Sequence, residues 1–214
     1  MSDDDELWHE LANSLVEIGA LRFGSFTLSS GKRSSYYLDL RTVPSYPEVY
    51  ALVLKAYEIM IGRLGIEGFD AIGGIATAGL TISSPLAVSL KKPMVYVRSE
   101  EKSHGLGKRV EGRIQNGWRV VLVDDVATTG GSITDAVESL RAEGFTVKDA
   151  LVLVDRLEGG TRNLEARGVR LNSFVTVRGL VDMLHSDKAL TVAERDAILE
   201  QMTREVGSGV ERTI

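Results

Sequence analysis

One short segment, residues 120–132, has acids, hydroxyls and glycines in an order suited to binding a phosphorylated sugar. An apolar run at 120–123 is typical of a buried strand, and Asp124 and Asp125 follow it directly. A loop of small residues then leads into a helical pattern, in the order Val126, Ala127, Thr128, Thr129, Gly130, Gly131 and Ser132. A helix N-terminus presents unpaired N–H groups and a positive dipole end, and small residues let a phosphate approach them. The two carboxylates could accept hydrogen bonds from the hydroxyls of a sugar phosphate, or bind a cation beside its phosphate.

An ordinary strand–turn–helix junction, in which Asp and Thr only cap the helix, is the alternative interpretation of this segment. The complete order of strand, acids, Thr-Thr-Gly-Gly-Ser and helix favours the phosphate site. Two other phosphate motifs are excluded, because the segment lacks the Gly-Lys-Ser/Thr of a Walker loop and the Gly-x-Gly-x-x-Gly of a dinucleotide site.

Two glycine-containing segments are further candidates. Residues 73–79 end another apolar run and form either a second backbone cradle, here for pyrophosphate, or a common strand–helix turn. Residues 98–117 show no clear period, contain four glycines and carry Lys102 and His104. Long connections of this kind are solvated loops or lids, and a lid that carries cations suits an anionic leaving group.

Arg156 is a candidate for binding a carboxylate. It follows the apolar run at 150–154 and Asp155, at the edge where ligands bind to parallel sheets. Its guanidinium either forms a surface ion pair, with Asp155 or Glu158, or binds a ligand carboxylate in a bidentate manner.

Alternating elements must position these residues. Short apolar runs predict buried strands at 69–75, 93–97, 120–123, 150–154 and 171–177. Helical spacing predicts helices from Pro47 onward, at 78–90 and at 133–142. Such alternation is typical of an α/β fold in which a parallel sheet is flanked by helices on both faces.

The two ends of the chain add smaller parts to this single domain. An amphipathic helix and a hairpin or flap precede the core, so we assign 1–46 to an N-terminal helix and flap. Residues 47–180 form the predicted core. Thr191 and Glu194 make a capping box for a closing helix, within a C-terminal helical segment at 181–214.

Composition excludes several classes of function. The 214 residues include no cysteine, which excludes disulfides, thiolate zinc sites and cysteine nucleophiles. The net charge of −5 argues against duplex binding, and no apolar run approaches the roughly 20 residues that span a bilayer. The acidic N-terminus is unlike a signal peptide. We therefore expect a cytoplasmic protein that binds neither nucleic acid nor membrane.

Residues 120–132 resemble the phosphoribosyl pyrophosphate (PRPP) signature of type I phosphoribosyltransferases. Three other segments of this chain resemble segments of the family members that act on orotate. They are Phe26-Thr-Leu-Ser-Ser-Gly-Lys, which resembles the N-terminal flap, Arg98-Ser-Glu-Glu-Lys-Ser-His-Gly, which resembles the mobile catalytic loop, and Asp155-Arg156, which resembles the orotate-binding strand end. The signature is specific for the family, and the three other segments narrow the resemblance to orotate. The implied architecture is the type I phosphoribosyltransferase fold with a small N-terminal flap or hood.

The resemblance implies that ribose 5-phosphate passes from PRPP to orotate, giving orotidine 5′-phosphate and diphosphate in pyrimidine biosynthesis. It implies Lys102, Asp124 and Asp125 as catalytic residues, and Thr128 and Arg156 as contacts of orotate. It also implies contacts with PRPP from Arg98, Ser99, Lys102, His104, Asp124, Asp125, Val126, Ala127, Thr128, Thr129, Gly130, Gly131 and Ser132. Mg²⁺ is expected to arrive mainly on the substrate.

The resemblance further implies a homodimer with shared active sites, in which the 98–117 loop reaches the neighbouring site. Two alternatives stay open: a purine or uracil phosphoribosyltransferase, and a non-catalytic regulator of the same fold.

The chain departs from the family pattern at two positions. Bacterial flaps usually have lysine where Ser29 stands, and the loop usually has a second lysine where Ser99 stands. Arg41 and Lys32 are the candidates to replace that positive charge.

Overall fold

A mostly parallel sheet forms the centre of the fold in the computed structural model, which describes residues 3–27, 31, 33–99, 109–113 and 115–210. The strands are β3 (Ala71–Ile75), β4 (Met94–Val97), β5 (Val110–Glu111), β6 (Arg119–Val123), β7 (Val126–Ala127), β8 (Thr146–Asp155) and β9 (Arg170–Thr176). Their spatial order is β5-β4-β3-β6-β8, with β7 and β9 also paired to β8. Only β5 is antiparallel to its neighbour. The carboxyl ends of the other strands therefore share one edge.

Helices cover both faces of this sheet. They are α1 (Asp3–Glu17), α2 (Pro47–Leu64), α3 (Ala78–Ser89), α4 (Gly131–Ala142), α5 (Gly160–Glu165), α6 (Val177–Ser186) and α7 (Val192–Val210). Alternate residues of β6 enter different apolar clusters, with Val121 and Val123 in one and Val120 and Leu122 in the other. The first cluster includes residues of α1, α2, α3, α6 and α7, and the second includes residues of α4 and α5. The predicted α/β class is confirmed.

An antiparallel hairpin of β1 (Leu21–Thr27) and β2 (Arg33–Leu38) forms the N-terminal flap. A short 3₁₀ helix, Leu40–Ser45, joins it to α2, where Pro47 takes the first helical position as predicted. The predicted capping box begins α7: Thr191 N–H donates to the Glu194 carboxylate (3.0 Å), and Glu194 N–H donates to the Thr191 hydroxyl (3.3 Å). The flap and the closing helix are thus as expected.

Sequence patterns missed the smaller elements. The strands β5 and β7 have two residues each, too few to show a period, and α5 has only six. The helix α6 has helical spacing at Val177, Leu180, Val181 and Leu184; its part from 181 onward lies in the predicted C-terminal helical segment, whereas its first residue was predicted as the end of a strand. The boundary that we predicted at 180–181 falls inside α6, and the division into 1–46, 47–180 and 181–214 stays a prediction. Within the described ranges, no helix combines the length and apolar character needed to cross a membrane.

Candidate active site

The predicted phosphate segment lies at the carboxyl edge of the sheet. Asp124 and Asp125 follow β6, β7 comes next, and α4 begins at Gly131 with Gly130 as its N-cap residue. Arg156, at the end of β8, lies beside the same segment, because its backbone N–H donates to the carbonyl of Ala127 (2.9 Å). The structure therefore brings the acids, the glycine loop and Arg156 to one region.

Asp124 is a buried acid, only 9% exposed. Burial raises the pKa of its carboxyl to about 8, and the charge of Asp125 adds to that rise, while a hydrogen bond from the Gly79 backbone lowers the pKa. Burial also raises the pKa of Asp125, and the N–H of Val126, which donates to its Oδ1 (2.8 Å), lowers it. Two adjacent carboxyls are thus held where ionisation is costly, as is common at functional sites.

Two neighbours fix the acid pair from other elements. The Tyr57 hydroxyl, on α2, donates to the backbone carbonyl of Asp124 (2.5 Å). Burial raises the pKa of Tyr57 well above its ordinary value, and the charges of Asp125 and Asp124 add to the rise, so its hydroxyl stays protonated as a donor. Gly79, in α3, packs so closely that a Cβ there would collide with the carbonyl of Val123. Sequence analysis interpreted 73–79 as a pyrophosphate cradle or a strand–helix turn, and neither interpretation included this packing of Gly79 against the acid pair.

Open space lies at the N-terminus of α4. A Cβ placed on Gly131 would contact only the Thr129 hydroxyl, at 3.8 Å. Gly130 differs, because its φ of +78° favours glycine and a Cβ there would lie 3.2 Å from Cα of Gly160. The first N–H groups of a helix have no partner within it, so this opening meets a set of donors.

The helix α5 supports the loop from behind. Gly160 N–H donates to the carbonyl of Thr128 (3.0 Å), and the Asn163 side chain donates to the carbonyl of Thr129 (2.9 Å). Sequence analysis missed Gly160 and Asn163; the Gly159-Gly160 pair close after Arg156 was the available signal. These bonds join the loop carbonyls of Thr128 and Thr129 to α5.

The 73–79 turn is joined to the start of the 98–117 segment. The Ser99 hydroxyl donates to the carbonyl of Ala76 (2.9 Å), and the peptide bond between Ala76 and Thr77 is cis. Arg109 donates to the carbonyls of Arg98 (3.2 Å) and Ser99 (3.3 Å). The Arg98 side chain lies 3.6 Å from a carboxylate oxygen of Glu111. Both candidate pyrophosphate segments therefore meet at the edge of β3 and β4.

Four residues named from the sequence lie outside the described residues: Ser29, Lys32, Lys102 and His104. Their predicted roles stay predictions. Of the two candidates to replace missing positive charge, Arg41 is described. Its guanidinium pairs with both carboxylate oxygens of Asp39 (2.7 and 2.8 Å), and its charge lowers the pKa of Asp125.

Arg156 is held in a half-enclosed position rather than on the open surface. Its side chain is 12% exposed, its Nε lies 2.7 Å from Glu158 Oε1, and its guanidinium carbon lies 4.9 Å from the ring centre of Tyr36 in the flap. Asp155 does not pair with it but accepts bonds from Leu157 N–H (2.8 Å) and the Thr161 hydroxyl (3.0 Å). The predicted ion pair with Glu158 exists, and the guanidinium faces the flap.

Comparison with known proteins gives consistent matches. The pattern of the family described as "Phosphoribosyl transferase domain" matches residues 49–176. Orotate phosphoribosyltransferase of Sulfolobus acidocaldarius is 40% identical over 199 residues, covering 92% of this chain and 98% of that protein. The crystal structure of orotate phosphoribosyltransferase from Aeropyrum pernix has a TM-score of 0.76 and 44% identity, over 82% of this chain and 98% of the other.

A longer relative matches as well. The structure of Leishmania donovani UMP synthase has a TM-score of 0.81 and 33% identity over 92% of this chain. The chain spans 42% of the length of that protein.

Proposed function

Because the chain belongs to the family of orotate phosphoribosyltransferases, we propose the roles through which its residues perform the family's reaction. The enzyme transfers ribose 5-phosphate from PRPP to orotate, giving orotidine 5′-phosphate and diphosphate in pyrimidine biosynthesis. The observation that carries the assignment of roles is the buried Asp124–Asp125 pair directly before an open helix N-terminus.

Asp124 and Asp125 hold the ribose and stabilise the transition state. The bond between C1 of the ribose and the diphosphate oxygen breaks as a bond to N1 of orotate forms, and the N1 proton is lost to solvent. Because the C1–O bond breaks ahead of complete N1–C1 bonding, positive charge develops on the sugar ring. The raised pKa of Asp124 keeps its carboxyl largely protonated near neutral pH in the free protein, and positive charge on the sugar ring favours its ionised form. The acid pair therefore stabilises the charge more in the transition state than in the bound substrate. Their position at the end of β6, held by Tyr57, requires no rearrangement during the reaction.

The loop at 128–132 binds the 5-phosphate. Its N–H groups and the N-terminus of α4 supply donors, and the hydroxyls of Thr128, Thr129 and Ser132 add more. The hydrogen bonds from α5 occupy the carbonyls of Thr128 and Thr129 and hold the loop in place.

Gly131→Val is expected to block PRPP binding while the fold is retained. The valine side chain would occupy the opening, where a Cβ meets only a hydroxyl at 3.8 Å. Calorimetry with PRPP and Mg²⁺ measures the loss. Gly62→Val is the matched control. Like Gly131, Gly62 lies in a helix, and a Cβ placed on it would have no atom within 4 Å. Normal PRPP binding by the Gly131 variant would show that the phosphate binds elsewhere.

The diphosphate leaves toward the 73–79 turn and the 98–117 segment. Backbone groups of the turn, with Arg98, Ser99, Lys102 and His104, bind it and stabilise its departing charge. The hydrogen bond from Ser99 to Ala76 supports this arrangement, since it joins the two segments at one place.

Orotate binds between Thr128 and Arg156. The Arg156 guanidinium forms an ion pair with Glu158, and its central carbon lies over the ring of Tyr36. The guanidinium is therefore already oriented before orotate binds. A pre-oriented planar fork suits the carboxylate that distinguishes orotate from uracil.

Arg156→Ala is expected to lower orotate affinity at least about tenfold, because a charge-assisted hydrogen bond contributes roughly 1.5–3 kcal/mol. The affinity for PRPP alone is expected to stay unchanged. Titration with each ligand measures the affinities for orotate and for PRPP. Arg170→Ala is the control, because Arg170 lies at the start of β9, on the opposite edge of the sheet, and pairs with Asp149. Equal losses for both ligands would mean that Arg156 has a structural role.

Mg²⁺ fits this site as a companion of the substrate. Among the described residues, no three His, Cys, Asp or Glu side chains form a group that could hold a metal. Asp124 and Asp125 are the carboxylates that would face a cation carried on PRPP, as expected for a cation that keeps most of its ligands from phosphate and water. When bound, the cation neutralises diphosphate charge. The homodimer and the cytoplasmic location stay predictions.

A panel of bases tests the proposal. The protein is incubated with PRPP, Mg²⁺ and orotate, uracil, adenine or hypoxanthine in turn, and diphosphate release is measured. Release with orotate alone supports the assignment. Release with another base instead would identify a different acceptor, and PRPP binding without release with any base would identify a regulator.

A further inference from the structure

We propose that Gln201, in the C-terminal helix α7, is a positioning residue for the orotate end of the active site. The inference depends on the proposed role of Arg156 in binding orotate. It adds that α7, at the other end of the chain, holds the flap strand on which the Arg156 guanidinium rests.

Gln201 is a buried polar residue, 6% exposed, that bonds to the flap through both atoms of its amide. Its Oε1 accepts a hydrogen bond from the backbone N–H of Ser35 (2.6 Å), and its Nε2 donates to the Ser34 hydroxyl (3.2 Å). Beside it, Ile198 and Met202 of α7 are buried in the core, and the Ser35 hydroxyl donates a longer hydrogen bond to the carbonyl of Ala197 (3.4 Å). A buried amide is costly unless it is bonded, so its two bonds define one position of β2 against α7.

The Ser34 hydroxyl passes this constraint to Tyr36. It donates to the carbonyl of Tyr36 (2.7 Å) and accepts from the N–H of Tyr36 (3.4 Å). The Tyr36 ring is 1% exposed and lies 4.9 Å below the Arg156 guanidinium carbon. A continuous series of contacts thus runs from Gln201 through Ser34 and Tyr36 to Arg156.

The direction of Arg156 therefore depends on three supports. Glu158 forms an ion pair with the guanidinium, the Ala127 carbonyl accepts from the backbone N–H, and Tyr36 supports the guanidinium face. Of these, Tyr36 belongs to the flap, and its backbone position is set through Gln201. Loss of the Gln201 amide is expected to loosen that support and to weaken orotate recognition, while the phosphate loop at 128–132 is unaffected.

Gln201→Met tests this, since methionine keeps the length and removes both hydrogen bonds. We expect KM for orotate to rise about two- to tenfold, the range that corresponds to one hydrogen bond, with KM for PRPP and kcat unchanged. Met202→Ala is the stability control, because it weakens the packing of α7 without touching the flap bonds. Thr203→Ala is the control for an exposed position; its hydroxyl bonds within α7, to the carbonyl of Leu199.

Two outcomes would overturn the inference. One is an unchanged KM for orotate in Gln201→Met. The other is an equal rise in Met202→Ala at the same loss of melting temperature, which would show a general effect of stability. If Gln201→Met does not fold, Ser34→Ala is the substitute test, because it removes the hydroxyl that bonds to the Tyr36 backbone. An unchanged KM for orotate in Ser34→Ala would equally overturn the inference.

Arg156→Ala, in the same assays, separates this inference from the proposed function. If Arg156→Ala leaves KM for orotate unchanged, the assignment of Arg156 is wrong. If Arg156→Ala raises it and Gln201→Met does not, only the role of Gln201 is wrong. Where both raise it, adding Gln201→Met to Arg156→Ala is expected to produce no further rise, because Gln201 acts through Arg156.

Discussion

Asp124→Asn is expected to reduce turnover about 10²–10³-fold, the usual cost of losing one electrostatic stabiliser of a transition state, and to make the free protein more stable above neutral pH. Asparagine keeps the size of the side chain and removes its ability to ionise beside the charged sugar ring, so PRPP affinity is expected to fall less than turnover. Asp125→Asn is expected to show the same excess of the turnover defect over the affinity defect.

The stability effect follows from the raised pKa of Asp124. Its pKa is 3.8 in the unfolded chain and about 8 in the folded protein, because the carboxyl is buried beside Asp125. Between these values the folded protein binds more protons than the unfolded chain, so the free energy of unfolding falls as pH rises through that window. Asparagine has no proton to lose, and the variant is expected to keep its stability up to pH 8.

Urea unfolding between pH 5 and pH 8, with turnover measured on the same samples, tests both effects. Asp135→Asn, a change of an exposed aspartate in α4, is the control and should alter neither the pH slope nor turnover. An Asp124 variant with reduced stability and normal turnover would show that the acid only caps the strand–helix junction.

Lys102→Ala is expected to reduce turnover about 10²–10³-fold with folding intact, since Lys102 is proposed to donate to the departing diphosphate. Ser29 and Ser99 stand where the family usually has lysines, and Arg41 is paired with Asp39, so fewer cations share the task. Lys55→Ala, at an exposed position of α2, controls for the loss of a lysine. Steady-state kinetics measures both variants, and near-normal turnover by Lys102→Ala would remove the lysine from the mechanism.

Mixed dimers test whether Lys102 acts on the neighbouring subunit. Lys102→Ala and Asp125→Asn subunits are each expected to be nearly inactive. If the loop acts across the interface, a mixed dimer contains one site with both Asp125 and a donated Lys102, and part of the activity returns. Mixed dimers that form without any activity would show that the loop serves its own subunit.

The strand–acid–glycine–helix segment could be predicted because its parts are contiguous in sequence. The strand β6, the acids and the start of α4 occupy one short stretch in which each residue type has a local reason. The same holds for the capping box of α7, where Thr191 and Glu194 are three residues apart. Local patterns of this kind are readable without knowledge of the tertiary structure.

The supports of the site could not be predicted, since they join distant parts of the chain. Tyr57 is 67 residues from Asp124, and Asn163 is 34 residues from Thr129. Gln201 is 166 residues from Ser35. Tyr57 lies on the apolar face of α2 and looks like any core aromatic, and only the packing of α2 against the end of β6 gives its hydroxyl a partner.

A crystal structure with orotidine 5′-phosphate bound tests all three binding roles at once, because this one molecule carries the phosphate, the ribose hydroxyls and the orotate carboxylate. We expect the phosphate at the N–H groups of 128–132, the hydroxyls within hydrogen-bond distance of Asp124 and Asp125, and the carboxylate on the Arg156 guanidinium. A phosphate bound away from the N-terminus of α4, or ribose hydroxyls that do not meet the acid pair, would contradict these roles.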